Sequence, residues 1–257
     1  MNLHTTSSIR SISTRLAGGL LLAATVVGLP AVAGAATRPV PTVTSVPSPA
    51  SARVDLTTVA QKCTAAIDRR FTTIDQLANA TTAADTLSDA HRSALQAELG
   101  AARSGLQGLR AQITAATDLA TLKSLCPLIV EDYRVYVLEA PTVHLSIAAD
   151  REVAAAGHLD QIGTKLDAAI TRAEAAGHDV GQARTFYADF TAKVSEAKGL
   201  GTGVPGAVIP LTPAGYNDGS AVPVLASSRD ALVKGKGDLV AARDDATKIV
   251  AILKALA

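Results

Sequence analysis

The chain has 257 residues, 24 of them basic and 23 acidic, and its formal charge of +1 carries no electrostatic footprint for nucleic acid or an acidic surface. Apolar residues make up 48% and aromatic residues 3%, with no Trp, so a core must be built from Ala, Val, Leu and Ile. Alanine has the highest helix propensity and, on a packing face, lets helices approach closely, which points to a slender helical bundle.

The N-terminus divides into three zones. Arg10 and Arg15 give a positive start, residues 16–29 (LAGGLLLAATVVGL) are uncharged and apolar, and Pro30 ends the run. Ala31-Val32-Ala33 and Ala33-Gly34-Ala35 both fit the small-x-small pattern a signal peptidase cuts. The apolar run is about 14 residues, short of the roughly 20 that a spanning helix needs. Residues 1–35 therefore read as a cleaved signal peptide, with no stable membrane span left afterwards. The arginines are not adjacent and no Cys follows the run, which sets aside a twin-arginine route and a lipid anchor. The C-terminal residues show no sorting motif or hydrophobic tail. The expected location is extracellular or in the cell envelope. Cleavage removes two arginines, so the remaining 22 basic and 23 acidic residues leave a charge of −1.

In an exported chain the two cysteines, Cys63 and Cys126, read as a disulfide, the alternative being two free buried thiols. Residues 36–53 (ATRPVPTVTSVPSPASAR) are rich in Pro, Ser, Thr and Val, lack an apolar period and read as an extended linker. Residues 54–257 are long enough for one domain with a single core.

That domain keeps a helical period almost throughout. Leu56, Val59, Cys63, Ile67, Ile74 and Leu77 mark a first helix. Leu95, Leu99, Ala102, Leu106, Leu109 and Ile113 mark a second, in a strict 4-3 alternation typical of coiled coils and bundles, with Ser88 as its cap. Asp118 opens a third that runs past Pro127. The passage YRVYVL (residues 133–138) is strand-like in composition, but it has no second run to pair with and reads as a wide buried helical face. Pro141 is expected to kink this helix, which continues through Val143, Ile147, Leu159, Ile162, Leu166 and Ile170 to Gly177. Asp179 caps a fourth helix and a fifth starts near Ser227. The fold class predicted is all-α, an elongated antiparallel bundle of about five helices. In an up-down-up arrangement of the first three, Cys126 falls within about one turn of Cys63 in height.

Residues 199–225 (GLGTGVPGAVIPLTPAGYNDGSAVPVL) hold four of the 11 prolines and read as a long Gly/Pro-rich loop. Its apolar cluster, including Val208, Ile209 and Leu211, suits either a cover over one end of the bundle or a contact with a partner, ligand or membrane. Tyr136 and Phe190 belong to two aromatic groups at helical spacing. They are core residues or, together, the lining of a ligand pocket between the third and fourth helices.

No catalytic constellation is visible. His91, His144, His158 and His178 lack metal-ligand spacing, no Gly-x-Ser-x-Gly turn exists, and the glycines of 199–206 have no preceding strand to form a phosphate loop. No catalytic residue, metal or cofactor is expected. The segment DYRVYVLEAPTVHLSIAADR (residues 132–151) resembles one found in uncharacterised exported helical proteins of high-GC Gram-positive bacteria. The resemblance implies export and an all-α fold, and supplies no activity. The expected function is a non-enzymatic secreted or envelope-associated interaction module whose partner is a protein or an envelope component. The alternative is an extracellular binder of a small apolar ligand, held in the bundle or under residues 199–225.

Overall fold

The computed structural model describes residues 55–256, and the predicted leader (1–35) and linker (36–53) lie outside them. Helices begin where the sequence offers caps. Asp55 opens α1 (Leu56–Ala83), Ser88 opens α2 (Asp89–Ala115) and Asp118 opens α3 (Leu119–Glu131), each side-chain oxygen accepting from a backbone N–H of the first turn. The last carbonyls of α1 and those of the following turn are satisfied by Arg92 of α2, whose guanidinium donates to Thr81, Thr82, Ala84 and Leu87. After α3 come a π-helical turn (Val135–Glu139), α4 (Ala140–Ala175), α5 (Gly181–Val208), the short α6 (Pro213–Asn217) and α7 (Ala221–Ala255). The fold is an all-α bundle, with five long helices of 27 to 36 residues and two shorter ones among the described residues.

Three expectations need correction. The kink assigned to Pro141 falls earlier and is a break: Arg134 takes a left-handed conformation (φ 41°), and the chain re-enters helix through the π turn. Pro141 then sits in the first turn of α4, where a missing N–H costs nothing. Residues 133–138 are not one wide buried face, since Val135 and Leu138 are buried while Tyr136 and Val137 are exposed. Residues 199–225 are not a long loop either. Helix α5 continues to Val208, and α7 starts at Ala221, six residues before the Ser227 the sequence suggested. Pro213 and Pro223 lie in first turns, and Pro210 lies in the connection. Of these four prolines, Pro205 stands inside a helix. There the burial of Val204 and Val208 against Leu145, Ala149, Ala221 and Leu225 outweighs the lost backbone bond.

Two packing groups share α4. In the first, α1, α2 and α3 bury Ile67, Leu95, Leu99, Leu106, Ile113 and Leu122, joined by Val135 and Val143 from the π turn and the start of α4. Cys63 and Cys126 are bonded, with Cα atoms 5.8 Å apart, fixing α3 against α1. In the second, α4, α5 and α7 meet through small residues: Ala149, Ala156, Ala183, Ala197, Ala221 and Ala242 are fully buried. Larger side chains are buried among them as well: Leu166, Ile170, Ile249 and Phe190. The Phe190 ring occupies the space left by Gly163, where a Cβ would stand 2.8 Å from Cε1. Asp150 of α4 links the groups, accepting the Ser88 N–H at 2.7 Å and bonding His91 Nδ1 at 2.9 Å at the start of α2.

Candidate interaction surface

The residues singled out from sequence do not assemble into one site. Tyr136 is 47% exposed on the π turn, with the Arg70 guanidinium of α1 over its ring at 5.0 Å. Phe190 is buried in the other packing group, stacked with Tyr187 at 6.2 Å between centroids. The shared pocket imagined between them is therefore absent from the described residues. Val208 is fully buried, Leu211 packs on the same cluster, and Ile209 packs on the α1–α3 core, so these three act as cover. Only Cys63 and Cys126 meet as drawn from sequence.

A shallow groove of about 330 Å³ opens between the end of α1 and α4. Ala83, Ala84, His144, Ile147 and Arg151 are among the residues that line it. It contains neither Tyr136 nor Phe190. Among the described residues, no three His, Cys, Asp or Glu side chains gather closely enough to hold a metal ion. None of the described helices is long and apolar enough to cross a membrane.

Two buried acids went unread in the sequence. Glu139 is pushed up to about 7 by burial and then by the nearby Glu98, and Glu152 to about 7 by burial and then by Asp238. Glu152 Oε1 has no hydrogen-bond partner and lies against α7 where Gly235 leaves room for it. The signal was present: Leu145, Ala149, Glu152, Ala156, Leu159 and Gly163 follow the same 4-3 alternation as the core, and Glu152 occupies a core position in it. Thr142 and Ser146 of α4 are also buried, with unpartnered hydroxyls.

The other unread feature is the outer face of α7. Val222, Val233 and Val240 are 48%, 73% and 53% exposed and lie on the side of the helix opposite Gly235 and Ala242. Isolated exposed valines are ordinary on a protein surface. These three lie within about 20° of one another around the helix, 11 and 7 residues apart, with exposed Arg229 and Lys236 between them, so the outer face alternates apolar and charged side chains. Comparison with protein-family models, curated proteins and solved structures finds no match, so the geometry alone bears on function.

Proposed function

We propose that the chain is a non-enzymatic interaction module, exported and either secreted or retained in the cell envelope, which binds protein through the outer face of α7. The observation that carries this reading is the aligned exposure of Val222, Val233 and Val240. Val233, at 73%, is the most exposed of the large apolar side chains among the described residues, and a partner would recover the cost of leaving this face in water. Export is supported by the leader-like residues 1–35 and by the Cys63–Cys126 bond, which persists only in an oxidising compartment. The resemblance of residues 132–151 to exported helical proteins agrees with that compartment.

The test is capture with the disulfide-intact chain, comparing the wild type with Val233→Glu/Val240→Glu against medium and envelope fractions of the producing cell. Circular dichroism serves as the control for folding. Protein retained by the wild type and lost by the variant supports the reading. Equal retention by both would remove α7 as the binding face. A small apolar ligand is the second reading, favoured by the groove lined in part by Ala83 and Ala84. It predicts uptake of an apolar dye that Ala84→Glu abolishes.

A further inference from the structure

The outer face of α7 repeats every seven residues. Ala226, Val233, Val240 and Thr247 form its central row, all exposed. Arg229, Lys236 and Arg243 form a second exposed row, and Asp230, Gly237 and Asp244 a third. At 3.6 residues per turn, the basic row lies about 60° to one side of the central row and the acidic row about 40° to the other. None of these five charged side chains is ion-paired with another described residue. Their neighbours on the inner flanks are: Lys234 pairs with Glu196 and Asp238, and Asp245 with Lys193 and Lys248.

We propose that α7 packs in parallel against α7 of a second copy of this chain, about a two-fold axis running along the helices. The proposal rests on the reading of α7 as the binding face and names its occupant. A parallel two-fold brings the basic edge of each copy beside the acidic edge of the other, so that Arg229 meets Asp230 and Arg243 meets Asp244 across the contact. An antiparallel two-fold instead sets basic edge against basic edge and acidic against acidic. The charge pattern therefore selects both the occupant and its direction, because each edge finds its complement on the same helix. The central row agrees. Val233 and Val240 would each meet its own copy across the contact and be removed from water. At Gly237 nothing lies within 4 Å of where a side chain would begin, leaving the backbones free to approach near the middle. A strict seven-residue repeat also gives the gentle left-handed wrap that keeps such a row in contact.

Sedimentation equilibrium of the disulfide-intact chain across the micromolar range should show the mass rising from one chain to two. Val233→Glu should hold it at one. Arg229→Asp/Arg243→Asp alone, and Asp230→Arg/Asp244→Arg alone, should each stay at one chain, and mixing the two variants should restore a two-chain species. Thr247→Cys should cross-link chain to chain under mild oxidation, since a parallel pair sets residue 247 against itself. A wild type that stays at one chain throughout overturns the proposal. So does a two-chain species unaffected by either charge reversal, or one in which Thr247→Cys does not cross-link. A single-chain wild type whose capture of a foreign protein still depends on Val233 would remove the second copy and leave α7 as the binding face. Loss of both observations would remove both readings.

Discussion

Helices α1 to α3 pack Ile67, Leu95, Leu106, Ile113 and Leu122 around one another and are closed by the Cys63–Cys126 bond. Helices α4, α5 and α7 bury more alanine and glycine among fewer large side chains, such as Ile170, Phe190 and Ile249, and have no covalent tie among the described residues. A leucine or isoleucine buries far more apolar surface than an alanine, so each contact in the first group stabilises more. The second group compensates by length, with helices of 36, 28 and 35 residues, and by close approach. Its ion pairs are mostly exposed and add little individually. The pairing of Asp245 with Lys193 and Lys248 is different, because the carboxylate is buried. Burial would raise Asp245, but the two ammonium groups outweigh it and hold it below the usual carboxylate range. One group thus relies on large side chains and a cross-link, and the other on many small contacts over a long seam.

The largest test of that contrast is removal of the bond. With the cysteines separated by 63 positions in sequence, replacing Cys63 and Cys126 by Ala should destabilise the protein by about 4 kcal/mol in the chain-entropy model. For a domain of this size that lowers the melting temperature by about 10 °C. Hydrogen exchange should quicken chiefly in α1 and α3, with α5 and α7 keeping most of their protection. An equal loss in α5 and α7 would show that the two groups unfold as one unit and would erase the distinction drawn from packing.

Acidity should act on both groups, on the first through Glu139 beside Glu98 of α2 and on the second through Glu152 at the α4–α7 seam. Glu139 and Glu152 each have a folded pKa of about 7, above the ordinary value near 4.5, so the folded chain holds more protons than the unfolded one between those limits. Their contribution is fully present below about pH 4.5 and is lost as pH rises through 7. Asp118, Asp218 and Asp245 are shifted the opposite way and stay ionised in both states through most of that window. The melting temperature should therefore fall by several degrees between pH 5 and pH 8. Glu152→Gln should remove about half of that slope and stabilise the protein at pH 8. A wild-type melting temperature that is flat across the range would mean that Glu152 reaches water and that the α4–α7 seam is looser than its glycine-lined fit implies.

What could be read in advance follows the same division. In α2, Leu95, Leu99, Ala102, Leu106, Leu109 and Ile113 are all buried as their spacing requires, and Ser88 and Asp118 cap the helices they were assigned. Large apolar residues at fixed intervals are a local signal. In the α4–α5–α7 group the signal is weaker because alanine occupies inner and outer faces alike. The helix through residues 199–208 was hidden because Gly and Pro set the local preference, while Val204 and Val208 found their partners some 60 residues earlier, at Leu145 and Ala149. The turn at Arg134 was hidden for a similar reason, since no glycine marks its left-handed backbone. Glu152 and the outer row of α7 were legible in register, yet a charged residue in a core register and apolar residues in an outer one both run against the usual pattern.

The smallest effect concerns the outward faces of the two groups. Gly100 on α2 and Gly199 on α5 both lie inside helices with nothing within 4 Å of where a Cβ would stand. Glycine in such a position costs helix stability relative to alanine and leaves the unfolded chain freer, so each Gly→Ala change should stabilise by about 0.5–1 kcal/mol. The expected rise in melting temperature is about 2 °C for each. At Gly163 the same change would press on the Phe190 ring and should destabilise, which provides an internal control. If Gly100→Ala and Gly199→Ala raise the melting temperature equally, both outer faces stand bare in solution, and the contrast between the groups is confined to their cores. If Gly199→Ala lowers it while Gly100→Ala raises it, the outer face of α5 is covered in the folded protein. The alanine-built group would then differ from the leucine-built one on its outside as well as its inside, because small residues admit close approach on whichever face they occupy.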